Sequence, residues 1–313
     1  ILVTGAAGFI GSNIVTSLNK KGYKNIIICD WIDHHSKKKN LEKLIYEKII
    51  PPENIIQYLE ESKDIELIIH MGANSSTTET NFRLIYNMNT RFSKNLWKWC
   101  VNNKVRLIYA SSAATYGDGK NGFMDSEKTS YKPLNFYGLS KYLFDRYAIK
   151  QSKKKTCPPQ WVGLKFFNVY GPNEYHKENM QSVIKHAFDQ YLETGKVKLF
   201  KSYNDKYLDG KQTRDFIYVN DCVALINWLI ENKNVSGIYN CGTSIGRTFE
   251  DLVKAMFKSI NITPNIEFID MPKNIRNQYQ YYTRANMKKI QNKGYKSKTL
   301  TLEEGFYDYV NNY

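Results

Sequence analysis

Short runs of nearly unbroken apolar residues alternate along the first half of the chain with longer stretches whose apolar positions recur every three or four residues. The runs are "ILVTG" (1–5), "NIIICD" (25–30), "IELIIHMGA" (65–73), "VRLIYASSA" (105–113) and "WVGLKFFNVYG" (161–171). Between them lie "GFIGSNIVTSLNKKG" (8–22), the amphipathic stretch Leu84–Asn103 and "NFYGLSKYLFDRYAIK" (135–150), the last helical from about Tyr137. A strand that is apolar on both faces is buried on both faces. Such strands separated by helices predict a doubly wound α/β fold with a parallel sheet. "TCPPQ" (156–160) is a loop.

After Gly171 the alternation breaks down. "TRDFIYVNDCVALINWLI" (213–230) reads as strand then helix and "GIYNCG" (237–242) as a strand, both expected to add to the sheet. The segments 172–212 and 242–313 show no such pattern. The division expected is a dinucleotide-binding domain of residues 1–167 and 213–241, with a smaller, discontinuous α/β domain of 168–212 and 242–313. No internal repeat or long flexible linker is apparent.

The first strand runs into "VTGAAGFIGSNIV", which sets Gly5, Gly8 and Gly11 between strand and helix. In that context the first glycine permits a tight turn and the second lets backbone approach a diphosphate. The third allows close helix–strand packing, and the helix N-terminus adds amides and partial positive charge. Asp30 ends the second strand 19 residues after Gly11, where a carboxylate takes the adenosine ribose hydroxyls of NAD. Lys37, Lys38 and Lys39 follow closely. They either offset that carboxylate and hold a 2′-phosphate, or form a solvated loop, so NAD and NADP both stay open.

Net charge is +15, but the 45 Lys and Arg are dispersed and no recognition motif accompanies them, which argues against nucleic acid. An anionic small molecule is favoured by the same charge. The five cysteines, Cys29, Cys100, Cys157, Cys222 and Cys241, are scattered and never spaced as C-x-x-C, so neither a disulfide framework nor a zinc site is expected. The adjacent His34 and His35 lack metal-ligand spacing, and no metal is expected. No apolar run approaches the roughly 20 residues that span a bilayer. The opening strand leaves no signal peptide, and a cytoplasmic location is expected.

"YASSAATYG" at a strand end carries Ser111, Ser112 and Thr115, and "YGLSK" downstream sets Tyr137 and Lys141 one helical turn apart. A free phenol titrates near 10. A neighbouring ammonium and a cationic nicotinamide are expected to lower that value, with Ser112 hydrogen-bonding the substrate oxygen. Glycine turn, strand-end serines and Tyr-x-x-x-Lys, in that order, identify a short-chain dehydrogenase/reductase arrangement.

The whole chain further resembles one family of extended short-chain dehydrogenases/reductases, the ADP-L-glycero-D-manno-heptose 6-epimerases of lipopolysaccharide core synthesis. The resemblance runs to about Tyr295 and rests on "TGAAGFIGSNIV", "HMGANSSTTET", "YASSAATYGDG", "KPLNFYGLSKYLFD", "FFNVYGPNEYHKENMQSV", "KLFKS", "RDFIYVND", "SGIYNCGT" and "QYQYYT". It implies an isomerase acting on an ADP-heptose with NADP as the usual cofactor, and a homo-oligomer, often a pentamer. Cofactor contacts would come from Gly5, Gly8, Phe9, Ile10, Gly11, Asp30, Trp31, Lys37, Met71, Gly72, Ala73, Asn74, Ser75, Asn89, Val169 and the catalytic Tyr137, Lys141 and Lys177. Ser112, Asn168, Asn179, His186, Phe200, Lys201, Ser202, Arg214 and Tyr279 would line the sugar-nucleotide pocket. Asn74 stands where a cysteine is common, and "EKIIPPEN" replaces a more polar segment beside the adenosine phosphate.

The implied acid/base residues are Tyr137 and Lys177. Inverting an exocyclic carbon through a transient ketone requires the carbonyl to present its other face to a fixed nicotinamide. Its oxygen then points elsewhere, so a second proton carrier is needed, and Lys177 in "GPNEYHKENM" is the candidate. It must lose its proton, through burial or a nearby cation such as Lys141. Arg214 either pairs with a diphosphate or braces Asp215. His186 is either a ligand or a helix-surface residue, and Tyr279, among Tyr281 and Tyr282, either binds or packs. Other nucleotide-sugar epimerases, a 4,6-dehydratase and a non-catalytic NAD(P) sensor are the competing readings. A dehydratase needs an acidic pair after Ser112, where Ala113 and Ala114 stand.

Overall fold

Each of the expected apolar runs becomes a strand of one all-parallel sheet. Strands β1 (Leu2–Thr4), β2 (Ile27–Cys29), β3 (Lys48–Ile50), β4 (Leu67–His70), β5 (Arg106–Ser112) and β6 (Trp161–Phe166) enter it in the order β6-β5-β4-β1-β2-β3. The computed structural model describes residues 1–32, 35–62, 64–276 and 279–312, with the side chains of Asn274 and of residues 178–180 excepted. His34 and the Asn179 side chain therefore lie outside the described residues.

Successive side chains of a strand face opposite ways. Accordingly Val3, Ile28, Ile69 and Ile108 bury against the helix Phe9–Lys20 on one face. Leu2, Ile27, Ile68 and Leu107 bury with Leu96, Trp97 and Phe144 on the other. Each such side chain stabilises the fold by roughly 1.5–3 kcal/mol. β3 was not legible as a strand. It is three residues long, with Lys48 and Ile49 exposed, and it forms the sheet edge just before Pro51, a position where brevity and charge discourage further pairing.

The second half departs from expectation in one place. β7 (Asn168–Tyr170), β8 (Val197–Phe200), β9 (Thr213–Tyr218), β10 (Gly237–Cys241), β11 (Gly246–Thr248) and β12 (Ile266–Ile269) follow in order. β10 extends the main sheet beside β6, as expected from "GIYNCG". β9 does not. It pairs with β7 and β11 in a separate three-stranded sheet, while β8 and β12 form a pair of their own. The reason is that Phe216 and Tyr218 on β9 bury in another core, with Tyr170, Ile184, Leu199, Leu252, Met256, Phe257 and Phe306. The helix Val219–Glu231 that follows nevertheless returns to the first core through Leu225, Ile226 and Leu229.

Candidate active site

The sheet order reverses between β1 and β4, and ligands of open α/β sheets bind at the carboxyl ends of strands at such a point. Gly5 sits there at φ +68°, and a Cβ on it would lie 2.6 Å from the Gly72 amide nitrogen after β4. A Cβ on Gly11 would lie 2.0 Å from the Gly5 carbonyl oxygen. On Gly8 it would meet the same oxygen at 3.1 Å, closer than an ordinary contact, with His176 Nε2 at 3.9 Å. A cleft of about 890 Å³ opens above the turn, lined by Gly5, Gly8, Phe9, Ile10 and Gly11. Asp30, Trp31 and Lys37 line it at one end, and Met71, Gly72, Ala73, Asn74 and Ser75 follow along its wall. Backbone amides at a helix start, on a glycine turn that bares its backbone to the cleft, fit a dinucleotide diphosphate.

Asp30 is buried and already engaged. Its Oδ2 accepts from the Ala7 amide at 2.9 Å, and Lys37 Nζ lies 3.3 Å from Oδ1 while donating to the Trp31 carbonyl at 3.1 Å. Burial raises the Asp30 carboxyl above its ordinary range, and Lys37 and the Ala7 amide oppose that rise. The lysine thus offsets the carboxylate. Trp31 is exposed and donates its indole N–H to Glu53 at 2.8 Å.

Tyr137 and Lys141 lie on the helix Phe136–Lys153, which starts where Asn135 Oδ1 accepts from the Gly138 amide at 2.8 Å. Gly138 has no room for a Cβ, which would come within 2.7 Å of the Ala114 carbonyl. That approach brings the helix against the strand end carrying Ser112, and Ser112, Tyr137 and Lys141 all line the cleft. Burial raises the Tyr137 phenol above its ordinary value and Ser112, hydrogen-bonded to it, lowers it. The expected ammonium effect on the phenol is not found. Lys141 Nζ instead donates to the Ala110 carbonyl at 2.8 Å, and burial brings Lys141 down to about 8, opposed by Asp145. Ser111 and Thr115, read from the same strand end, point into a separate buried network.

Lys177 is on a short 3-10 helix, Tyr175–Met180, and lines the cleft, and its Nζ stands 5.2 Å from the centre of the Phe9 ring. Burial lowers its pKa and Glu174 opposes the shift. Burial, not Lys141, supplies the depression. Glu174 itself was missed in the sequence. It is fully buried and accepts from the Ser182 hydroxyl at 2.7 Å, the Ser182 amide at 2.5 Å and the Tyr309 hydroxyl at 3.3 Å. Its carboxylate ties both ends of the Lys177 turn and the C-terminal helix together. Only a charge near a "Gly-Pro" break signalled it.

Asn168 and Val169 on β7 line the cleft. Phe200, Lys201, Ser202, Arg214, Tyr279 and His186 do not, and they divide into two groups. The Arg214 guanidinium is buried, 5.3 Å from the Phe249 ring and 5.2 Å from the Tyr279 ring, with Phe200 6.5 Å from Tyr279. Phe249 in turn lies 5.8 Å from Phe216, which lines the cleft. Arg214 does not brace Asp215, whose carboxylate accepts from the Thr243, Ser244 and Ala285 amides. No carboxylate among the described residues pairs with Arg214, whose Nη1 donates to the Thr213 carbonyl at 3.0 Å. Lys201 pairs at the surface with Asp270 at 3.2 Å, Ser202 turns its hydroxyl to the Asn204 carbonyl, and His186 is half-buried along the helix Val183–Thr194.

Asn89 is 1% exposed and stands behind the cleft wall rather than on it. It occupies a π-helical turn, Tyr86–Arg91, within the stretch read as an ordinary amphipathic helix. Its side chain exchanges hydrogen bonds with the Asn74 backbone at 2.8 and 2.9 Å and donates to Ser140 Oγ at 3.0 Å. His70, also unforeseen, bridges Thr4 Oγ1 at 2.6 Å and Ser93 Oγ at 2.8 Å, and burial takes it down to about 3, so it stays neutral. Together these side chains join the β1 and β4 loops to the helix of Tyr137.

Residues 1–242 match the NAD dependent epimerase/dehydratase family. The chain is 44% identical to the ADP-L-glycero-D-manno-heptose-6-epimerase of Fusobacterium nucleatum, over all of this chain and 97% of that one. The chain belongs to this epimerase family. It is an enzyme of the extended short-chain dehydrogenase/reductase fold that uses a nicotinamide cofactor. The crystal structure of the Helicobacter pylori ADP-L-glycero-D-manno-heptose-6-epimerase superposes with a TM-score of 0.81 at 28% identity, covering 99% of this epimerase and 94% of that chain. The Thermus thermophilus UDP-glucose 4-epimerase in complex with NAD gives 0.79 at 25% identity, with coverage of 99% and 97%. Among the described residues no helix of the epimerase is long and apolar enough to cross a membrane.

Proposed function

We propose that the epimerase inverts C6 of ADP-D-glycero-D-manno-heptose to give ADP-L-glycero-D-manno-heptose through a transient 6-ketone. The names of its relatives support the substrate. The observation that carries the chemistry is that two candidate proton carriers, Tyr137 and Lys177, line one cleft from different helical elements. The nucleotide, when bound, supplies the acceptance and return of hydride at C6.

Burial biases the phenol of Tyr137 and the amine of Lys177 alike toward their neutral forms. A neutral phenol is an acid and a neutral amine a base. Lys177 takes the C6 hydroxyl proton as the ketone forms, and rotation about C5–C6 swings the oxygen toward Tyr137. Tyr137 gives its proton when hydride has returned, with Ser112 steadying the phenolate. One proton then passes from ammonium to phenolate before the next turnover. A dehydratase reading lacks its acid, because Ala113 and Ala114 follow Ser112. A sensor reading leaves the paired acid and base without purpose. Following C6 inversion of the ADP-heptose by NMR tests the assignment, and protein that held nucleotide but left the sugar unchanged would refute it.

Arg214 is proposed to receive the substrate diphosphate. In Arg214→Met the KM should rise by roughly tenfold or more with a smaller change in kcat, since a charge-assisted contact contributes about 1.5–3 kcal/mol. An unchanged KM in steady-state assays would remove Arg214 from the binding site.

For the cofactor, NADP is the proposed form. Lys37 offsets Asp30 at the cleft edge, and that lowers the repulsion of a 2′-phosphate. NAD is the second reading, because Asp30 Oδ1 keeps acceptor capacity for a ribose hydroxyl. Mass spectrometry of nucleotide released on denaturation decides between them. Lys37→Ala should weaken NADP about tenfold more than NAD, a difference of about 1.4 kcal/mol, read by titration calorimetry.

A further inference from the structure

Behind Ser112 lies a buried ion pair that does not line the cleft. Asp145 is one helical turn beyond Lys141 and 2% exposed, and Lys165 of β6 is 4% exposed. Lys165 Nζ stands 2.7 Å from Asp145 Oδ2. The same carboxylate accepts from the Ser111 hydroxyl at 2.7 Å and the Tyr109 hydroxyl at 3.1 Å. Lys165 also donates to Thr115 Oγ1 at 2.6 Å, and Thr115 donates to the Ser112 carbonyl at 2.8 Å. Ser112 is therefore gripped from both sides, through the side chain of the residue before it and through Thr115 on the turn after it.

A buried ion pair is a poor device for stability alone, since apolar residues of similar volume often serve as well or better. Its geometry here is specific. β5 ends at Ser112, where sheet hydrogen bonding gives out, and Ser111 and Ser112 lie beside Lys165 and Phe166 in the register. Asp145 shares its helix with Tyr137 and Lys141, so the network connects strand end, turn and catalytic helix.

We propose that Asp145 and Lys165 are positioning residues that fix Ser112 against Tyr137 for proton handling. This rests on the role of Ser112 in the proposed reaction. Thr115→Val keeps the shape of the side chain but cuts both its links. It is expected to lower kcat roughly tenfold to a hundredfold with KM within about twofold, the pattern of a misplaced catalytic group. Lys165→Arg should retain most of the wild-type kcat, and Lys165→Met should not. Should Lys165→Met fail to fold, Thr115→Val and Ser111→Ala carry the test, because both leave the ion pair intact. An unchanged kcat in Thr115→Val, or an equal loss in Lys165→Arg and Lys165→Met, would overturn the proposal.

Ser112→Ala, assayed alongside, separates the two ideas. Full activity there sinks the role of Ser112. A loss there with none in Thr115→Val sinks the positioning alone. A crystal structure of Thr115→Val gives a readout that needs no turnover. Ser112 displaced from Tyr137 supports the proposal, and Ser112 unmoved contradicts it.

Discussion

Lys177→Met is expected to lower epimerisation by roughly 10²–10⁴-fold, the usual worth of one acid/base group, while nucleotide still co-purifies. Methionine keeps the length of the side chain and its contact with Phe9 but cannot accept a proton. KM for the ADP-heptose should change little, because the loss falls on a group used in the transition state. The pH dependence follows from the same burial. The base form of Lys177 is the amine, so the step it serves speeds up as pH rises through a value below the roughly 10.4 of a free lysine. Desolvation lowers that value and Glu174 holds it partly up. A rate limb that persisted unchanged in Lys177→Met would belong to another group.

Tyr137→Phe is expected to cost a similar factor by removing the other proton carrier. The two variants differ in which form they stall. With Lys177 as base for one C6 configuration and Tyr137 as acid for the other, each variant retains the half-reaction that its remaining group serves. In a single turnover, Tyr137→Phe should therefore reduce its bound nucleotide, visible near 340 nm, more extensively than Lys177→Met when given the D-glycero substrate. Equal absorbance from both would contradict the assignment of separate faces.

The nucleotide half of the fold was legible because doubly buried strands leave continuous apolar runs and the glycine turn has few other uses. Gly5 and Gly11 have no room for a side chain, as a tight turn and close helix–strand packing require. Lys177 was legible only through family strings and the chemistry of a rotatable carbon. The support beneath it was not, because Glu174 acts through contacts with Ser182 and with Tyr309, 135 residues away. Asp145 and Lys165 were equally hidden, since a charge on a helix and a charge in a strand carry no mark of pairing until the fold joins them. β9 went to the second sheet because its apolar residues serve a different core, a choice that local pattern does not encode. Arg214 was seen, but its freedom from Asp215 required the loop amides of 243–244 and 285 to be in place.

The central claim is that hydrogen leaves C6 as hydride and returns to the same carbon within one active site. Substrate carrying deuterium at C6, converted in ordinary water and followed by NMR, tests it directly. Product of inverted configuration that retains the deuterium at C6 is the expected result. Loss of the label to solvent would mean that C6 is deprotonated rather than oxidised, which contradicts inversion through a 6-ketone.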